Sequence, residues 1–262
     1  MVPYTIKNRE NYLCMEKIRL NKILATAGIA SRRNSDMLIE DGRVSVNGSI
    51  CTLLGTTADP KKDFISVDGK PISKKPAKQI TYVLNKPAGY ICSCKGYDEN
   101  DKLAIDLIRD RKARLFTVGR LDKNTEGLIL VTSEGDFANL VMHPSSNIER
   151  QYMVTTKEEV LQSDIEKIRK GTYIEGKKVT PVAVFKEKRK VISITVMEGR
   201  KHEVRLLVSR TGLNIAGLKR IRLGNLELGP MPRGAYRILS NAEKSAIFEK
   251  KSSNKKPLHH KI

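Results

Sequence analysis

GRLDKNTEGLILVT, residues 119–132, joins a polar loop to a strongly apolar run. Arg120, Asp122, Lys123, Thr125 and Glu126 crowd into seven residues, and Gly127 then opens Leu128-Ile129-Leu130-Val131-Thr132, a strand by its length and residue types. The loop admits two readings. A carboxylate between a strand end and a glycine can serve as nucleophile or general base, with a neighbouring arginine keeping it ionised. Asp and Asn are equally the residues that β-turns use for backbone reasons.

Working outward, further strands are predicted at residues 80–85, 115–118, 152–156, 179–186 and 191–197, the last two forming a hairpin across the charged residues 187–190. Helices are predicted at 102–109, 134–142, 158–170, 202–209 and 242–250, with Ser133 and Asp136 as a capping pair and Gly171 as a stop. Strands and helices mix without a βαβ rhythm, which points to a mixed or antiparallel sheet. Towards the N-terminus, apolar residues at helical spacing from Ile18 end at Gly28, and Ser31 is placed to cap a helix over 32–40. Val44-Ser45-Val46 then alternates into an Asn47-Gly48 hairpin turn, and a similar piece, 64–67, closes on Asp68-Gly69. The expectation is an α+β chain: an extension (1–16), a small α-α-β unit (17–72), a Pro- and Lys-rich linker (73–79), a larger mixed/antiparallel-sheet domain (80–248) and a basic disordered tail (249–262).

The 262 residues carry 49 Lys+Arg against 29 Asp+Glu, a formal net charge of +20, which favours a polyanionic partner, nucleic acid ahead of an acidic membrane. No stretch approaches the roughly 20 apolar residues of a membrane span. The first residues lack the apolar core of a secretory signal, so a cytoplasmic location is expected. Cys14, Cys51, Cys92 and Cys94 are too few and too scattered for a disulfide framework, and His143 and His202 lack partners at ligand spacing, so no metal is expected. Neither Gly-x-Gly-x-x-Gly, nor a Walker-type loop, nor Gly-x-Ser-x-Gly occurs, which argues against dinucleotide, nucleotide and serine-hydrolase chemistry. With no Trp and 5% aromatic residues, extensive base stacking on an exposed sheet is also disfavoured.

A second charged cluster is EGRKHEVRLL, residues 198–207. A helix starting near His202 would place Arg205 about one turn in, on a face shared with Lys201 or His202, and suit a phosphate or a carboxylate from another loop. The same pattern also describes a charged helix N-terminus whose Val204, Leu207 and Val208 face a core.

Taken in order, VLNKPAGYICS (83–93), GRLDKNTEGLILVTSEGDFAN (119–139), ERQYMV (149–154), EGRKHEVRLL (198–207) and LKRIRLGNLELGPMPRGAYRIL (218–239) resemble the motifs of the RsuA/RluB-type pseudouridine synthases. IRLNKILATAGIASRRNSDMLIEDGRVSVNG (18–48) resembles the S4-like RNA-binding domain, and the resemblance spans about residues 17–245. It implies an isomerase that breaks the N-glycosidic bond of a uridine in RNA, turns the uracil and rejoins it through carbon 5, without a cofactor. Asp122 would be the essential carboxylate, as nucleophile or as base; Arg205 would pair with it; Tyr152 would stack on the uracil. Arg120 would fill the space left by the extruded base. Lys86 and Lys201 would contact RNA in the larger domain, and Arg19, Lys22, Ser31, Arg32, Arg33 and Arg43 in the smaller one. Gln151 and Leu206 depart from the residues common in the family. The resemblance implies ribosomal RNA or a ribosomal assembly intermediate as partner, large-subunit (23S) rRNA ahead of small-subunit (16S) rRNA, and a monomeric enzyme. A non-catalytic RNA-binding assembly factor on the same fold is the alternative.

Overall fold

The computed structural model describes residues 17–73, 79–109 and 113–249. The expected extension, residues 250–262 of the expected tail and residues 74–78 of the expected linker lie outside the described residues. The chain divides into two compact units between Lys78 and Gln79.

In the first unit, helix α1 (Leu20–Thr26) and helix α2 (Arg32–Glu40) precede a four-stranded antiparallel sheet built from β1 (Val44–Val46), β2 (Ser49–Cys51), β3 (Ile65–Val67) and β4 (Lys70–Pro71), in the order β2-β1-β3-β4. Local chemistry sets the boundaries. The Ser31 hydroxyl accepts from the Asn34 amide at 3.0 Å and starts α2. Asn47 and Gly48 both adopt positive φ, +52° and +84°, as a two-residue hairpin requires. Leu20, Leu24, Ile39, Val44 and Ile65 form the core.

The second unit is organised by a nine-stranded mixed sheet. Its main path, β9-β10-β8-β11-β7-β5-β13, uses β5 (Thr81–Lys86), β7 (Glu126–Thr132), β8 (Arg150–Thr156), β9 (Ala183–Lys188), β10 (Val191–Val196), β11 (Ile215–Leu223) and β13 (Tyr236–Ile238). Short β6 (Phe116–Val118) pairs with β7, and β12 (Leu226–Glu227) with β11. Along this sheet only β7 and β11 run parallel. Strand β7 shows why its run is uninterruptedly apolar: Leu128 and Leu130 face one core, Ile129 and Val131 the other. Helix α3 (Gly135–Met142) places Ala138 and Val141 in the first, and α5 (Glu203–Ser209) places Val204, Leu207 and Val208 in the second. Helices α4 (Gln162–Arg169) and α6 (Asn241–Ala246) complete the unit. Gly127 permits the parallel crossing: a Cβ there would lie 2.2 Å from the Arg220 carbonyl oxygen.

Four sequence expectations need correction, and one strand goes unpredicted. Residues 179–186 are not one strand: Lys177–Val179 pairs with Thr172–Ile174, and the sheet strand begins at Ala183. Residues 102–109 hold no long helix; Lys102–Leu103 pairs with Tyr90–Ile91, and one 3-10 turn, Ala104–Leu107, buries Ala104 and Ile105. Ser133 does not cap α3, because its hydroxyl is engaged with the Ile80 backbone, accepting from the amide at 3.0 Å. Helix α4 starts later than residue 158, since the Asp164 carboxylate takes the Leu161 amide and Glu158 is turned to Asn214. Strand β11, the long central strand, escapes the alternation rule because Arg220 and Arg222 occupy its buried side, 4% and 7% exposed.

Candidate active site

Strand β6 ends at Val118, and Gly119 (φ +70°) turns the chain into the loop before β7. The Thr125 amide donates to the Asp122 carbonyl at 3.0 Å, so Asp122 opens a tight turn with its carboxylate outward. Helix α5 delivers two basic groups to it: Arg205 Nε lies 3.6 Å from Oδ2 and His202 Nε2 lies 3.4 Å from Oδ1. Arg205 Nη2 also donates to the Thr125 hydroxyl at 3.3 Å, holding the turn as well as the acid. His202 has left-handed backbone (φ +55°), a conformation that disfavours a side chain and here turns the chain into α5.

These groups border a cleft of ≈ 1020 Å³. Tyr152 on β8 forms part of its wall and is 9% exposed. Arg120 and Lys201 stand exposed at its edge. Arg150 and Arg220 line the same cleft. Arg150 Nη1 donates to the carbonyls of Ile148 and Met197, both at 2.7 Å. Burial, with repulsion from Arg220, pushes this guanidinium below its ordinary value. Arg220 Nε donates to the Leu128 carbonyl at 2.8 Å, while its Nη2 is buried with no hydrogen-bond partner among the described residues. An unpaired buried donor costs about 1–3 kcal/mol. Glu203 is buried too, and burial raises its carboxyl; Oε2 accepts from the Arg200 amide at 2.9 Å. That bond ties the chain just ahead of α5, beside the helix start where the sequence placed an anion site.

Lys86 is not the RNA contact the sequence reading made it. Its side chain is completely buried, and the ammonium donates to the carbonyls of Pro87 at 2.8 Å and Lys123 at 3.1 Å. Burial lowers its affinity for a proton. It braces the Asp122 loop from behind, together with Cys92, whose sulfur accepts from the Leu121 amide at 3.4 Å. Gln151 is half-buried and accepts from Arg222 Nε at 2.9 Å.

The cleft therefore brings together Asp122, Tyr152, Arg205, Arg120 and Lys201. The first unit carries the other RNA contacts that the sequence predicts. There Arg19, Arg32 and Arg33 are exposed and Lys22 half-buried; Ser31 is occupied in capping, and Arg43 is forked onto Asp68 at 2.8 and 2.6 Å, which neutralises it. Sequence reasoning misses His202, Arg150 and Arg220 as site residues. It weighs His202 as a metal ligand and as a helix-face neighbour of Arg205, and the two arginines sit on strands where charge reads as surface. Cys51, Cys92 and Cys94 are free thiols. Among the described residues no helix is long and apolar enough to cross a membrane.

Residues 80–210, which contain the Asp122 turn and the Arg205 helix, match the RNA pseudouridylate synthase family, and residues 18–65 match the S4 domain. Ribosomal large subunit pseudouridine synthase B of Bacillus subtilis is 32% identical over 231 residues, 86% of this chain and 93% of that one. The chain belongs to the RNA pseudouridylate synthase family. The synthase is also 42% identical over 228 residues to the chloroplastic SVR1 protein of Arabidopsis thaliana, a candidate ribosomal large subunit pseudouridine synthase; that match covers 80% of this chain and 55% of the relative. A crystal structure of a pseudouridylate synthase superposes with a TM-score of 0.63 at 24% identity, covering 88% of this chain and 99% of the other, and so shares its fold. The synthase is thus an isomerase of the α+β class, with an S4 domain preceding the mixed-sheet domain.

Proposed function

We propose that this enzyme converts a uridine of large-subunit ribosomal RNA to pseudouridine in the cytoplasm, as a monomer and without metal or nucleotide cofactor. Residues 17–72 anchor the RNA and residues 80–248 perform the chemistry. The observation that carries the reading is Asp122 at the head of a tight turn, flanked by Arg205 and His202 at the edge of one large cleft. The names of the relatives, ribosomal large subunit pseudouridine synthases of Bacillus subtilis and of the chloroplast, favour the large subunit over the small.

The target atoms are inaccessible while the base is stacked in RNA, so the nucleotide must leave the stack. At ≈ 1020 Å³ the cleft is at the top of the range for small-ligand sites, about 300–1,000 Å³, and has room for an extruded nucleotide with flanking backbone. Asp122 supplies the carboxylate that acts on the ribose. Arg205 keeps it aimed, its second contact on Thr125 preventing the turn from relaxing. The Tyr152 ring packs against the uracil while it turns. Arg120, exposed at the rim, takes the place the base vacates, and Lys201 holds nearby phosphate. Arg19, Lys22, Arg32 and Arg33 hold the RNA from the S4 unit, raising its local concentration at the cleft.

The experiment is a pseudouridine map of ribosomal RNA from a deletion strain, complemented with wild type or with Asp122→Asn. One position lost on deletion and restored by wild type alone is the expected result. An unchanged map would overturn the reading, restoration of the position by Asp122→Asn would take Asp122 out of the chemistry, and rescue of every growth and assembly defect by Asp122→Asn with the position still unmodified would transfer the role to RNA binding.

A further inference from the structure

We propose that Arg220 is a second catalytic residue of this site, the cation that receives the negative charge of the uracil once it is cut from its ribose. The proposal rests on the synthase reading above. Arg220 lies directly across from Tyr152 in the β8–β11 ladder, and residues so paired project to the same face of a sheet. Both border the cleft. The bond from Nε to the Leu128 carbonyl fixes the plane of the guanidinium, yet Nη2 has no partner among the described residues although the side chain is almost wholly buried. Arg150, another cation lining the same cleft, donates its bonds to backbone carbonyls, and the Glu203 carboxylate acts on Arg150 through space. Among the described residues no carboxylate is hydrogen-bonded to either arginine. A purely structural arginine at such depth is normally matched by an acid, as Arg222 two residues along is matched by Glu149 at 2.9 Å. Arg220 is left with a spare donor and a like-charged neighbour, an arrangement completed by an anion from outside.

The reaction supplies one. When the C1′–N1 bond breaks, its electron pair stays on the uracil, spread over N1, O2 and O4. The charge persists until C5 bonds to C1′, after which the C5 proton is lost and N1 takes up a proton, so that substrate and product remain isomers. A guanidinium already fixed and almost wholly buried stabilises that charge with little reorganisation, and its planar donors suit a uracil carbonyl.

The test uses the full-length enzyme and a ribosomal RNA transcript carrying the mapped uridine, under single-turnover conditions. Arg220→Met is expected to slow conversion about 100-fold while RNA affinity stays within about two-fold, and Arg220→Lys to recover about ten-fold of the loss. Replacing O2 or O4 of the target by sulfur should slow wild type and leave Arg220→Met no slower than with the natural base. This measurement on wild type needs no folded variant. An Arg220→Met enzyme of normal rate, a loss confined to RNA affinity, or indifference of wild type to both thio-substitutions would each overturn the proposal. Wild type inactive on every ribosomal RNA would instead bring down the synthase reading and this assignment with it.

Discussion

Lys86 Nζ lies 3.1 Å from the carbonyl oxygen of Lys123, so a completely buried cation grips the backbone one residue beyond Asp122. The position of the carboxylate thus depends on a side chain that touches no solvent. Lys86→Met keeps much of the packing volume and strands the carbonyls of Pro87 and Lys123. It should cost about 1–3 kcal/mol of stability in denaturant titration and lower turnover more than RNA affinity. Burial holds the Lys86 ammonium below the ordinary 10.5, so between its folded value and 10.5 the unfolded chain binds the extra proton. The stability gap favouring wild type over Lys86→Met should therefore widen as pH climbs through that window.

Arg205 is expected to matter through Asp122 and Thr125 together. Arg205→Met should reduce single-turnover conversion by about 100- to 1,000-fold, and Arg205→Lys, which keeps the charge but cannot span both partners, by less. Near-additive losses in Asp122→Asn/Arg205→Met would show that the two act independently, against this geometry.

The S4 unit should govern salt dependence. Arg32 and Arg33 are exposed at the start of α2, and removing both should flatten the plot of log affinity against log salt by about one unit for every phosphate left without its arginine. Conversion at saturating RNA should be unchanged. A slope equal to that of wild type would take these residues out of the interface.

At the other end of the sheet, Arg237 and Ser240 hold the Glu243 carboxyl down to about 2, from an ordinary 4.5. The ionised form is favoured by folding, so this contribution is complete above pH 4.5 and fades as pH falls towards 2. Because the pair is open to water, Glu243→Gln should cost only about 1 kcal/mol at neutral pH. Melting curves of variant and wild type should converge in acid.

Much of this was legible because local chemistry decided it. Ser31 caps the helix it was expected to cap, Asn47-Gly48 makes its hairpin, and the 128–132 run is a strand. Motif resemblance picks out Asp122, Tyr152 and Arg205, which the fold brings to one cleft; composition leaves the Asp122 loop undecided between a turn and a site, and it is a turn that presents an acid. The misses share a cause. Lys86, Arg220 and Arg222 are buried by carbonyls, an amide and a carboxylate contributed by distant segments, and a rule that equates charge with surface cannot see those partners. His202 escapes for a similar reason, since its relation to Asp122 exists only after α5 docks.

The parallel seam between β7 and β11, and the pairing of β5 with β13, have a consequence for the timing of synthesis. The aspartate loop leaves the translating ribosome well before the arginine strand that must lie beside it, and the strand bracing β5 comes later still. A nascent chain has no complete cleft lining until residues through Leu223 have emerged. The enzyme therefore cannot act on RNA while most of its own chain is still being made, however early its basic N-terminal unit folds and takes hold.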